Sequence, residues 1–152
     1  MNREDFPALN DKLIYFDNSA TSLKPKCVID KMVEYYSKYT SNIHRGDYDN
    51  AMRTNKEYDE TREVVKNFIN AKSSDEIVFT SGTTDSMNTI VFGYFKNVLN
   101  KDDEVLITKS EHASNVLPWF VLEKMGKCTV KYIPLDENYE VTLENVKSSI
   151  TK

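Results

Sequence analysis

The stretch VFTSGTTDSMN, Val78 to Asn88, sets an apolar run ending in Phe79 directly before Gly82 and two threonines, with Met87 opening the next apolar stripe. A short run rich in β-branched and aromatic residues followed by helical spacing predicts a strand entering a helix. Gly82 lets the backbone turn sharply and approach a ligand without a Cβ. Thr83 and Thr84 offer hydroxyls beside the free N–H groups of the helix start, and such a terminus attracts anions, phosphate above all. An ordinary reading stands beside this one: Ser81, Thr83 or Thr84 is simply an N-cap. The loop lacks the lysine of a Walker motif and the further glycines of a dinucleotide fingerprint.

Outward from that junction, helices and strands alternate. Upstream, Pro25 opens a helix carrying Val28, Met32, Tyr36 and Tyr39 at helical spacing, and TSNIHRGDYDN, residues 40–50, interrupts with turn formers. A second helix is expected from about Ala51 to Ile69, with Tyr58, Val65 and Phe68 on one side. Downstream, the Thr83 helix carries Met87, Ile90, Val91, Tyr94, Phe95 and Val98, and the pattern then repeats. Strands are expected near 76–80, 104–108 and 129–133, with a short helix at Pro118–Met125 and another from Thr142 onward. Strands separated by helical patterns imply crossover units and a mostly parallel sheet, hence an α/β fold.

The 152 residues are 39% hydrophobic and 29% charged, the composition of a globular chain with room for a core. A net charge of -4, with no cluster of Lys and Arg interleaved with aromatics, argues against a nucleic-acid surface. No apolar run reaches the ~20 residues of a membrane span, and the charged start MNREDFPALN has no signal-peptide centre, so the cytoplasm is the expected location. Cys27 and Cys128, the only cysteines, are too widely separated to suggest a disulfide framework or metal site and are expected to be buried or half-buried thiols. Trp119 is expected in the core.

In parallel sheets ligands collect beyond the carboxyl ends of the strands. His112 comes after the strand expected at 104–108 and so belongs on the same rim as Gly82 and Thr83. Histidine is suited to moving protons near neutral pH, though a lone one is often just a hydrogen-bonded loop residue. Glu111 and Asn115 flank it, as orienting groups or as caps; the sequence leaves both open. Asp17, Asn18 and Arg45 by themselves read as turn or surface residues.

The ordered set YFDNSATSLKP, HRG, FINAKSSDEIVFTSGTTDSMN, DEVLITKSEHASNVLPW and YIPLD resembles the amino-terminal part of the group II cysteine desulfurases and selenocysteine lyases, pyridoxal-phosphate-dependent enzymes of aminotransferase class V. The resemblance implies the first portion of the fold type I large domain, with residues 1–70 as a helical segment bearing loops at the active-site mouth and 71–152 as an incomplete cofactor-binding domain. It assigns the cofactor phosphate to Gly82, Thr83 and Thr84 and the ring-stacking, proton-moving role to His112. Asn18, Ala20 and Thr21 match a segment near the substrate end, and His44 and Arg45 match one at the mouth of the dimeric site. No metal is implied.

The activity so implied is conversion of L-cysteine to L-alanine, with sulfur passed to an enzyme cysteine as persulfide, in a homodimer serving a sulfur-acceptor protein in iron–sulfur cluster assembly. The Schiff-base lysine, the carboxylate facing the pyridine nitrogen and the nucleophilic cysteine all match positions downstream. These residues are therefore expected to be a piece of a longer enzyme, inactive alone, with unpaired strand edges prone to association. The same residues leave open another class V activity (aminotransferase, selenocysteine lyase or epimerase) or an inert α/β module that binds phosphate or a protein partner.

Overall fold

The computed structural model describes residues 2–9 and 12–151. The chain divides into two compact units, Met1–Ile77 and Val78–Lys152.

The first unit is helical. A 3-10 turn at Arg3–Asp5 precedes α1, Lys26–Glu34, whose N-cap is Pro25. The missing N–H of proline costs nothing at a helix start, which is why the chain enters α1 there. A π-helical turn, Tyr35–Tyr39, extends α1, and α2 runs over Asp49–Phe68. Their junction closes on Tyr39, 2% exposed, against Ala51 and Thr54. The Tyr39 hydroxyl donates to Glu57 Oε2 at 2.6 Å, and the Arg53 guanidinium lies 3.6 Å from the ring centroid. Arg53 also pairs with Glu34 at 2.6 Å and Glu57 at 2.9 Å, and Lys31 reaches Glu57 at 2.9 Å. The junction of α1 and α2 is thus a tyrosine ringed by charge, and elsewhere in the unit Ile77 is buried. Of the other residues expected on the apolar stripes, Tyr58 and Val65 are half-buried, whereas Val28 and Met32 on α1, Tyr36 in the π turn, and Phe68, 89% exposed, at the end of α2 stay exposed.

The second unit is built on an apolar cluster. Here α3, Thr83–Ile90, continues through a π-helical turn, Val91–Phe95, into the short α4, Lys96–Val98. Strand β1, Glu104–Thr108, leads to α5, Ala113–Lys124, and then to β2, Thr129–Ile133; α6 is Leu143–Ser149. The two strands pair in parallel, Glu104 opposite Thr129 through Thr108 opposite Ile133. A crossover helix is what joins parallel neighbours, and α5 supplies it. Val91, Ile107, Trp119, Leu122 and Cys128 form the core, with Met87, Phe95 and Val130 packed on it. The Phe95 and Trp119 rings meet edge to face at 5.2 Å.

Four expectations need correction. Residues 76–80 are not a strand: Ser74–Glu76 is a 3-10 turn, and residues 77–80 run on without pairing to any strand among the described residues. The Ile77 carbonyl is taken instead by Arg62, whose Nη2 donates at 2.6 Å. A strand needs a ladder partner, and side-chain pattern alone does not supply one. The helix expected at Pro118 begins five residues earlier, because His112 caps it, and carries Pro118 inside. An interior proline removes one backbone bond and typically costs ~3 kcal/mol. Here Pro118 is itself buried and the adjacent Trp119 is a member of the core. Cys27 is exposed, whereas Cys128 is buried and its thiol is pushed up by burial. Finally, none of Ser81, Thr83 and Thr84 caps α3. Its N-cap is Gly82, without a side-chain bond.

Candidate functional site

At the start of α3 the backbone passes through Gly82 with φ 158 and ψ 179, on the border of the extended region, and a Cβ built there would meet nothing within 4 Å. The space in front of the turn is therefore open. The first N–H groups of a helix have no intrahelical acceptor, and α3 presents those of Thr83 and Thr84 together with two exposed hydroxyls. Ser81 is held against the first turn by Asp85, whose Oδ2 accepts from both the N–H and the hydroxyl of Ser81 at 3.2 Å. The hydroxyl of Thr80 donates to the Gly82 carbonyl at 3.2 Å and lies 2.7 Å from Ser86 Oγ, which stiffens the turn. Amide donors, threonine hydroxyls and the positive end of a helix dipole suit a phosphate group.

His112 is the N-cap of α5, exposed, with its Nδ1 accepting from the Ser114 N–H at 3.2 Å and lying 2.8 Å from Ser114 Oγ. A nitrogen that accepts a backbone N–H carries no proton of its own, so in the neutral ring the proton resides on Nε2. Beside it, Glu111 Oε1 accepts from Thr108 Oγ1 at 3.1 Å and Oε2 from Asn115 Nδ2 at 2.9 Å, while Asn115 Oδ1 accepts from Trp119 Nε1 at 3.4 Å. Ser114 is a partner that sequence reasoning missed; the signal was a Ser two positions after a capping residue, in reach of the cap. Helices α3 and α5 pack on one another, and both candidate groups sit at their N-terminal ends. No hydrogen bond links Gly82, Thr83 or Thr84 to His112 among the described residues.

The remaining candidates lie in the first unit. Asn18, Ala20 and Thr21 form a tight turn in which the N–H groups of Ala20 and Thr21 both donate to the Asp17 carbonyl, and the Tyr15 hydroxyl donates to the Thr21 carbonyl at 2.5 Å. Asn18 lines a cleft of about 330 Å³ with Arg3, Phe6 and Leu23. His44 holds a left-handed backbone, φ 56, fixed by its N–H donating to Asn55 Oδ1 at 2.7 Å and by its ring meeting Tyr58 edge to face at 5.9 Å. A non-glycine residue in that region persists only where its surroundings impose it. Gly46, φ 108, completes the turn; a Cβ there would come within 2.8 Å of the Tyr48 ring. Arg45, exposed between them, has no partner among the described residues. Also among these residues, no group of His, Cys, Asp and Glu gathers as a metal site, and no helix is long and apolar enough to cross a membrane.

Residues 14–152 match the family described as aminotransferase class-V. A protein of Borreliella burgdorferi named "probable cysteine desulfurase" is 45% identical over 99% of this chain, and one of Staphylococcus epidermidis with the same name is 38% identical over 97%. Each match spans 37% of the relative's length, so the chain corresponds to little more than a third of these proteins. Among solved structures, the apo cysteine desulfurase of Thermococcus onnurineus superposes with a TM-score of 0.88 at 37% identity, covering 96% of this chain and 36% of that one. The cysteine desulfurase CsdA of Escherichia coli superposes with a TM-score of 0.83 at 33% identity, over 98% of this chain and 37% of that one.

Proposed function

Because the chain belongs to the class-V aminotransferase family, we propose that it is the cofactor-cradling part of a pyridoxal-phosphate-dependent cysteine desulfurase acting on L-cysteine in the cytoplasm. The observation that carries this reading is the start of α3: an open Gly82 turn followed by Thr83 and Thr84, on a chain that resembles desulfurases from end to end.

The division of labour follows from the chemistry of each group. Thr83 and Thr84 would hold the phosphate through hydroxyls and backbone N–H groups, and Gly82 would let it approach the backbone. When bound, pyridoxal phosphate supplies an electron sink at the α-carbon of the amino acid. His112 would stack on the pyridine ring and present a proton at Nε2, its Nδ1 already committed to Ser114. Asn18, Ala20, Thr21, His44 and Arg45 serve the substrate end, where the free guanidinium of Arg45 suits a carboxylate. A homodimer and a protein that accepts the sulfur complete the proposal. A wider class V reading, such as selenocysteine lyase, epimerase or aminotransferase, draws on the same family match.

Titration of the labelled chain with pyridoxal phosphate, monitored through the amide signals of Gly82, Thr83 and Thr84, tests the cradle. Those signals move first, and Thr83→Ala combined with Thr84→Ala weakens binding by tenfold or more, since a hydrogen bond to a charged group is typically worth ~1.5–3 kcal/mol. Equal binding by wild type and double variant puts the phosphate elsewhere. Sulfide release from L-cysteine by the 152 residues with added cofactor stays at the rate of the free cofactor; a faster rate means that these residues contain the lysine assigned downstream.

A further inference from the structure

We infer that Glu111 and Asn115 are positioning residues for His112, forming with Thr108 a clasp that sets the presentation of its imidazole. The link from β1 to α5 is only Lys109–His112, and Lys109, Ser110 and His112 are exposed. Such a link holds a side chain in place only if something fixes it at both ends. The Glu111 carboxylate does so, with one oxygen on the last residue of β1 at 3.1 Å and the other on the third residue of α5 at 2.9 Å.

The asparagine leaves no freedom in this arrangement. A carboxylate only accepts and an indole N–H only donates, so the Asn115 amide must turn Nδ2 to Glu111 and Oδ1 to Trp119. Trp119, 9% exposed, belongs to the apolar core, so the clasp runs from the core through Asn115 and Glu111 to the strand end. The backbone N–H of Asn115 donates to the His112 carbonyl at 2.8 Å, which ties His112 to the same turn. With the turn held, the Ser114 N–H stays within 3.2 Å of Nδ1 and the proton stays on Nε2. A merely solvated glutamate does not use both oxygens on two elements. The functional meaning of the clasp rests on the role proposed for His112, but its geometry does not.

Nitrogen-15 spectra of the imidazoles read the clasp directly. The chain has two histidines, so His44→Ala assigns the signals. His112 in the wild type shows one tautomer, protonated at Nε2. Glu111→Ala raises the Nδ1-protonated form at least threefold, Asn115→Ala does so to a similar extent, and Thr108→Val, which cuts one arm, less. Glu111→Gln restores the wild-type pattern, since a glutamine accepts from Asn115 and donates to the Thr108 hydroxyl. Val105→Ala, which loosens the same core but removes none of the clasp's hydrogen-bonding groups, leaves the ring signals unchanged. An unaltered His112 spectrum in Glu111→Ala overturns the inference, and so does an equal change in Val105→Ala. If Glu111→Ala does not fold, Thr108→Val and Asn115→Ala decide by the same criterion. No readout here involves the cofactor, so failure of the phosphate cradle and failure of the clasp appear in separate experiments.

Discussion

The two units of the chain solve the same problem with opposite chemistry. In residues 1–77 the junction of α1 and α2 closes on Tyr39, whose hydroxyl and ring face meet Glu57 and Arg53. In residues 78–152 the strands and helices close on Val91, Ile107, Trp119, Leu122 and Cys128 with no charged member. An apolar core depends on area removed from water, whereas a charged junction depends on geometry and on protonation. The second unit should therefore respond to lost volume and the first to pH and single polar groups.

The largest expected effect is in the apolar unit. Leu122 is fully buried, and Leu122→Ala should destabilise by about 2–5 kcal/mol. Denaturant unfolding monitored by the fluorescence of Trp119, the only tryptophan, reads that unit. A loss below about 1 kcal/mol would mean that the cluster repacks freely and is no true core.

Tyr39→Phe sharpens the contrast, because it keeps the ring under Arg53 and removes only the hydroxyl. It should cost about 1 kcal/mol, near the value of one net hydrogen bond, by thermal melting of the helical signal. The Tyr39 hydroxyl, with Lys31 next, holds the Glu57 carboxyl down to about 2. A carboxyl depressed on folding contributes stability that is present above its unfolded value, near 4.3, and is lost as pH falls through its folded value. The first unit should therefore weaken between about pH 4.5 and 2, and Glu57→Gln should flatten that slope. An acid response unchanged by Glu57→Gln would break the assignment of the junction to charge.

The smallest effect is expected where charge is merely exposed. Lys26 and Asp30 pair at 2.7 Å on the surface of α1, and Asp30→Asn should change stability by less than about 0.5 kcal/mol in thermal melting. A larger loss would extend the charged network well beyond Tyr39.

Much of this was legible in the chain. The spacing of Met87, Val91 and Phe95 marked α3 and the π-helical turn that continues it, and the runs at 104–108 and 129–133 marked the paired strands, because a face against a core imposes its period on the residues. Residues 77–80 carry the same kind of pattern and still form no strand, since pairing depends on another segment lying alongside. Of the candidate site, the Gly82–Thr84 turn and His112 were legible as residue types that suit phosphate and protons. Ser114 and the joint use of Glu111 by Thr108 and Asn115 were not, because they depend on where side chains meet.

The sequence by itself determined the alternation of helices and strands, the glycine turn before α3 and the family. These are local propensities and ordered motifs, which need no partner in space. Only the tertiary structure decided that Arg62 takes the Ile77 carbonyl, that α5 begins at Ala113 behind a His112 cap and carries a buried proline within it, and that a tyrosine among charges closes the junction of α1 and α2. Each of these is a contact between residues distant in sequence or a cap set by side-chain geometry, whose energy exists only once both groups have been brought together and their water displaced.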